Sequence, residues 1–285
     1  LVSLHRRNTL NESPVDLDTI TRIDLDSIST VYGPVRSWRV GFSLGIDLLC
    51  RNSICSFNCT YCQLGSIQVR TNARQLFVPT AKVREDLESS EWRKADIITL
   101  SGSGEPSLAT NMGEVIEVAG AFTSKPVLVL TNGTLLHLPS VKQELSLADR
   151  VYLKLDAATD ESLRRVNRPV EGVTLTRIVE SACEFRREYK GYLALQMMFV
   201  HSNRREVGAF ARLIERIQPD EVQVNTPTRP YPDGWYLASR GSHEGVDYPA
   251  KPLKPLQPEA LRGIVHRLRE TVPGIKIASR ADEPA

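Results

Sequence analysis

The chain has 285 residues, of which 41% are hydrophobic and 25% charged, and a formal net charge of +2. That length supports a real core in one large α/β domain or two small ones. The near-neutral charge excludes a strong field that would recruit nucleic acid or an anionic membrane, although a local basic patch for RNA stays possible, and no apolar run reaches the roughly 18 residues of a membrane span.

The first 30 or so residues are polar and weakly patterned, with Asp16, Asp18, Asp24 and Asp26 among isolated leucines and isoleucines. They read as a peripheral arm with one short helix. Leu1 to Leu10 carries His5, Arg6 and Arg7 but no apolar stretch of the signal-peptide kind, so the expected location is cytoplasmic. From Val40 a rhythm begins. Short apolar, β-branched runs recur at Leu44–Leu49, Asp96–Leu100, Pro126–Leu130, Arg150–Asp156, Tyr192–Val200 and Glu221–Asn225. Such runs suit parallel strands covered on both faces. Helical patterns lie between them at Val83–Arg93, Gly113–Phe122, Ser162–Arg165, Leu175–Tyr189 and Arg205–Ile217. Strand–helix alternation implies βαβ units around a parallel sheet. An incomplete barrel and a doubly wound open sheet both satisfy this periodicity. Prolines at 227, 230, 232, 249, 252, 255 and 258 then break the rhythm. A proline-rich crossing of that length serves as a lid or as a solvated cover. A helix over Glu259–Thr271 and a strand over Ile275–Ala278 close the chain. The expected divisions are an arm over 1–38, a main α/β unit over 39–230 and a closing segment over 231–285.

Four of the five cysteines, Cys50, Cys55, Cys59 and Cys62, fall within thirteen residues, and the fifth is Cys183. An odd count in a long chain with no visible export signal argues for a thiolate metal site over a disulfide framework. Cys55-x3-Cys59-x2-Cys62 follows the first expected strand, where a loop can wrap three thiolates around one inorganic cluster. A [4Fe–4S] cluster has four iron corners, so three local cysteines leave one iron open to a ligand. Zinc is the rival occupant, with Cys50 completing the tetrahedron. Zinc sites, however, usually join paired cysteines from separate segments. Cys50 otherwise reads as packing at a strand end or as a further functional thiol. Cys183 reads as core.

Cys-x3-Cys-x2-Cys with Tyr61 before its last cysteine resembles the signature of the radical S-adenosylmethionine (SAM) superfamily. The stretches Tyr32–Ser37, Ser43–Leu48, Cys55–Gly65, Ser101–Pro106, Thr131–Gly133, Lys154–Ala157, Asn167–Pro169 and Gln223–Pro227 resemble its Fe–S oxidoreductase branch, related to the wyosine tRNA-base synthetases. The resemblance implies a partial (β/α)6 barrel of radical SAM type, with parallel strands and outer helices. It implies a [4Fe–4S] cluster on Cys55, Cys59 and Cys62, and SAM chelating the open iron. Ser103-Gly104-Glu105-Pro106 matches the superfamily's Gly-Gly-Glu-Pro motif, which binds the SAM amino group, with Ser at its first position. Lys154 and Asp156 lie two apart on one strand face. They form either a charged pair contacting SAM or substrate in the barrel mouth, taken here as the catalytic candidates, or a structural ion pair. Tyr61, Asn132, Gln196 and Asn225 complete the expected cofactor-binding set, because buried amides need partners; Gln223 is a further amide of this kind.

The expected reaction is reductive cleavage of SAM to a 5′-deoxyadenosyl radical that acts on a small-molecule substrate. A flavodoxin or ferredoxin would supply the electron. Cleavage toward methylthioadenosine, with 3-amino-3-carboxypropyl transfer to a soft acceptor such as arsenite, is the alternative outcome. The wyosine enzymes carry further cysteines near the N-terminus, whereas none precedes Cys50 here. A small molecule is therefore expected in preference to tRNA. A zinc module without catalysis is the remaining reading.

Overall fold

The computed structural model describes residues 24–241 and 247–282. Residues 1–23 of the expected arm lie outside the described residues. In chain order the elements are β1 (Val31–Ser37), β2 (Gly41–Ile46), β3 (Ile54–Cys55), β4 (Val69–Arg70), α1 (Thr80–Glu88), β5 (Ile97–Leu100), α2 (Met112–Thr123), β6 (Val127–Thr131), α3 (Pro139–Leu145), β7 (Arg150–Lys154), α4 (Asp160–Val166), α5 (Leu175–Glu188), β8 (Tyr192–Met198), α6 (Val207–Ile217), β9 (Glu221–Asn225), β10 (Tyr231–Pro232), β11 (Ala250–Lys251), α7 (Pro258–Thr271) and β12 (Lys276–Ser279). No helix among the described residues is long and apolar enough to cross a membrane.

Eight strands form one sheet in the order β1-β2-β5-β6-β7-β8-β9-β12. From β2 to β12 every pair is parallel, and β1 pairs antiparallel with β2. This is the parallel α/β class with outer helices that the sequence predicts. The predicted strands recur with boundary shifts of a few residues. β1 and α3 were not anticipated: Gly33 and Pro34 interrupt the first, and the second has only seven residues.

The central strands are buried on both faces, as expected, β5 throughout, but the two faces differ in the extent of their apolar cover. Leu44, Ile46, Ile98, Val129, Leu153, Leu195 and Val224 belong to the main core, together with the apolar stripes of α1, α2, α5, α6 and α7. Each such side chain stabilises the fold by roughly 1.5–3 kcal/mol through burial. The opposite face starts with a small apolar layer of Ile97, Leu128, Tyr152 and Ala194. Farther along the strands it turns polar. Register sets Lys154 beside Gln196 and Gln196 beside Gln223. The period of two along each strand delivers both faces from one run of residues.

Candidate functional site

The thiol loop is held from two sides. On one side, Ile54 makes a parallel bridge to Gly104. Ile54 N donates to Ser103 O at 2.8 Å, and Glu105 N donates to Ile54 O at 3.0 Å. A Cβ on Gly104 would stand 1.7 Å from Ile54 O, so only glycine lets the two backbones meet. On the other side, Asn58 N and Thr60 N donate to Asn167 O and Val166 O at 2.8 and 2.9 Å, and Val170 N donates to Ser56 O at 2.9 Å. Capped α4 sets that second wall. Thr159 accepts from Ser162 N while Ser162 Oγ accepts from Thr159 N, a reciprocal arrangement that fixes the start of the helix. Asn167 follows directly at its C-terminus.

Each of the three thiols meets N–H donors. Cys55 Sγ accepts from Phe57 N at 3.4 Å and from Asn132 Nδ2 at 3.5 Å. Cys59 Sγ accepts from Asn167 Nδ2 at 3.3 Å. For Cys62 the Leu64 backbone favours the thiolate, against burial. Burial pushes the Cys59 thiol up to about 12, and it raises Cys55 and Cys62 as well. Free, these groups stay protonated at neutral pH. A bound metal centre deprotonates a coordinating thiol outright, and the donors already face where thiolate charge would form. Three thiols surrounded by N–H groups suit a three-cysteine cluster site. Cys50 differs: it is fully buried, its thiol donates to Asp47 O at 3.1 Å, and Arg240 Nη1 lies 3.6 Å from its sulfur. Its hydrogen bonds among the described residues run to Asp47 and Arg240 rather than to the Cys55–Cys62 loop.

Glu105 is 2% exposed. Its Oε1 accepts from Ser107 N (3.1 Å), Ser107 Oγ (2.7 Å) and Thr131 Oγ1 (2.7 Å), and its Oε2 accepts from Asn132 N at 2.6 Å. Burial raises its pKa above the ordinary carboxylate value, against the pull of these bonds. The carboxylate thus clamps the ends of β5 and β6 together, with Oε2 the less committed oxygen. Ser103 Oγ donates to Asp47 Oδ2 at 2.6 Å.

Tyr61, Lys154 and Asp156 meet. Tyr61 OH donates to Asp156 Oδ2 in a short hydrogen bond. Lys154 Nζ lies 2.9 Å from Tyr61 OH and 3.4 Å from Asp156 Oδ2. Asp156 also accepts from Asn167 Nδ2 (2.8 Å) and Met198 N (2.8 Å). Burial would lower the Lys154 pKa, but Asp156 and the thiols of Cys59 and Cys62 reverse this and hold it above the usual lysine value. Gln196 Nε2 donates to Gln223 Oε1 at 3.1 Å, one register step from Lys154. Asn225 stands apart, its Oδ1 accepting from its neighbour Thr226 N.

The proline-rich segment, as far as it is described, lies over the thiol loop. Gln63 Nε2 donates to Ser239 O at 2.9 Å, and Arg229 donates to Gln63 Oε1. Arg240 pairs with Asp47 at 3.3 Å and stacks over Tyr32. Asp47, Asn167 and Arg240 are site-forming residues that patterning alone did not single out. The stretches at 43–48 and 167–169 contain the first two, and nothing in the sequence marks Arg240.

Comparison with known proteins agrees with this geometry. Residues 51–214 match the model of the Radical SAM superfamily. The UPF0026 protein slr1464 of Synechocystis sp. is 46% identical over 224 residues, covering 78% of this chain and 84% of that protein. Two other relatives, 32% and 30% identical, are covered over only 30% and 65% of their length. Streptococcus suis SuiB bound to S-adenosylmethionine superposes with a TM-score of 0.58 at 14% identity, over 80% of this chain and 48% of SuiB. The protein anSMEcpe with bound AdoMet superposes with a TM-score of 0.55 at 17% identity, over 84% of this chain and 64% of that one. The partial-barrel fold of these neighbours is the fold found here.

Proposed function

The chain belongs to the radical SAM superfamily, and from that premise we propose that Cys55, Cys59 and Cys62 hold a [4Fe–4S] cluster at which SAM is reductively cleaved. When bound, these groups supply a one-electron cleavage of a SAM carbon–sulfur bond, giving 5′-deoxyadenosyl radical for hydrogen abstraction from a small molecule. A flavodoxin or ferredoxin suits the role of electron donor.

The chain's own residues would bind, orient and enclose. The observation that carries the reading is the thiol loop itself: three cysteines from one turn, each facing an N–H donor, fastened to the Ser103–Glu105 turn by backbone hydrogen bonds. Oε2 of Glu105, which accepts one hydrogen bond, suits an ammonium group at this joint. The cation of Lys154, 26% exposed in its side chain, faces the same end of the sheet and suits a carboxylate or a ribose oxygen. Beyond it the Gln196–Gln223 pair offers neutral donors and acceptors to a substrate. The segment carrying Ser239 and Arg240 helps to exclude water, which strengthens every polar contact beneath it. Orientation over the thiol loop would decide which bond breaks.

Anaerobic reconstitution, reduction with dithionite and chromatography of the nucleosides formed from SAM test this. The expected results are a brown protein and 5′-deoxyadenosine. Methylthioadenosine as the sole enzymatic nucleoside would replace the reaction with aminocarboxypropyl transfer. A colourless protein holding stoichiometric zinc would overturn the cluster itself.

A further inference from the structure

We infer that Asn132 and Asn167 are positioning residues that set the reduction potential of the cluster, each through an N–H···S bond to one thiolate. The inference rests on the cluster reading above. Both side chains are buried, and their amide orientations follow from their surroundings. Asn132 Oδ1 accepts from Thr134 N at 3.0 Å and from Thr134 Oγ1 at 2.8 Å. The backbone N–H can only donate, so the oxygen of Asn132 must face Thr134. Its NH2 group is left for Ser56 Oγ at 2.8 Å and Cys55 Sγ at 3.5 Å. The Asn167 NH2 group divides its two hydrogens between Cys59 Sγ at 3.3 Å and Asp156 Oδ2 at 2.8 Å. A flipped amide would point oxygen at a carboxylate and a sulfur. The orientation seen leaves Asn167 Oδ1 buried with no hydrogen-bond partner. An orphaned buried acceptor is costly, and here it is the consequence of aiming both hydrogens at anions.

The electrostatic consequence follows directly. One-electron reduction adds negative charge to the cluster and its thiolates. N–H dipoles directed at sulfur stabilise that charge and raise the potential. Cys62 has a main-chain donor, and Cys55 has one besides Asn132. Cys59 has only the Asn167 side chain among the hydrogen bonds described. Asn167 should therefore have the larger effect.

The test is dye-mediated spectroelectrochemical titration of the reconstituted cluster in wild type, Asn132→Ala, Asn167→Ala and the double variant. Asn203→Ala serves as control. Asn203 is fully buried and binds the backbone oxygens of Asp156 and Met198. Its loss loosens the same region without removing an N–H···S bond. The expected result is a more negative midpoint in each single variant, larger for Asn167, a further fall in the double variant, and no change in the control. Unchanged midpoints in variants holding full clusters would overturn the inference, as would an equal fall in the control. Where a variant fails to hold its cluster, pulsed EPR of reduced wild type carrying 15N-asparagine decides: side-chain 15N hyperfine coupling supports the bonds, and its absence refutes them. Wild type that takes up no cluster at all fails differently, by removing the premise.

Discussion

Substituting Gly104 by alanine isolates the joint between the thiol loop and the Ser103–Glu105 turn. Gly104 has φ of +150°, and an added Cβ would sit 1.7 Å from Ile54 O. The backbones must separate. Separation breaks the Ile54 N to Ser103 O and Glu105 N to Ile54 O bonds, worth about 1 kcal/mol each in net terms. An alanine held at this φ adds about 1–3 kcal/mol of strain. The sum is about 3–5 kcal/mol, a large part of the roughly 5–15 kcal/mol by which domains are stable. Gly172 is the matched control: its φ is +80°, and a Cβ there meets nothing within 4 Å. Gly172→Ala therefore carries strain alone, about 1–2 kcal/mol. Urea unfolding followed by circular dichroism, with m about 2–3 kcal/mol/M, should place the Gly104→Ala midpoint roughly 1–2 M lower and that of the control less than 1 M lower. Cluster iron per chain after reconstitution should fall in Gly104→Ala and hold in Gly172→Ala. Equal midpoint losses in the two variants, or a full cluster in Gly104→Ala with stability within about 1 kcal/mol of wild type, would refute the joint.

Two further outcomes are expected. Cys50→Ser should leave iron content and nucleoside production near wild type, because its thiol is engaged with Asp47 and Arg240 rather than with the loop; product loss with the cluster intact would assign it a role in handling substrate. Asp86 accepts from Thr30 N, Thr30 Oγ1 and Lys82 Nζ at 2.6–2.7 Å. Burial opposes its charge, but these partners outweigh burial and hold its pKa below the ordinary value. A folded pKa below the unfolded one gives stability that is present above about pH 4 and lost as pH falls through the folded value. Asp86→Asn should cost about 1.5 kcal/mol near pH 7, and its gap in urea midpoint to wild type should narrow below about pH 4. A gap that widens in acid would contradict the sign.

Sequence pattern reached the sheet well and the contacts between its ends poorly. β-branched runs such as Ile97–Leu100 and Val127–Thr131 are dense enough to declare strands. β1 hides because Val31, Tyr32 and Val35 are split by Gly33 and Pro34. The cysteine spacing and Gly104-Glu105 are local signals, legible because their geometry is made within a few residues. The neighbours of Asp156 are not local: Tyr61 lies 95 residues before it and Met198 lies 42 after it. Glu105 shows the limit of a motif. Its position was readable, but its four protein donors, which make it a clamp between β5 and β6, emerge only when the strands are adjacent. Arg240 sits beyond the periodic region, 193 residues from Asp47, and nothing in its own neighbourhood marks it.

The long spans inside the thiol cradle also bear on the order of synthesis and cofactor delivery. Asn132 is 77 residues downstream of Cys55, and Asn167 is 108 downstream of Cys59. At about 5–20 residues per second, a ribosome needs roughly 5–20 s after Cys59 to make Asn167. Closing so long a loop also requires the intervening strands to have paired. For roughly the first two thirds of that interval the cysteines are present and neither asparagine amide is, and for the rest only Asn132 has been made. A carrier arriving at the nascent chain would meet bare thiols on an unanchored loop, while one arriving after release would meet a finished socket. If these cysteines hold a cluster, delivery to the completed chain is the expected order, and a chain truncated before Asn167 would contain all three cysteines but lack the amide that faces Cys59.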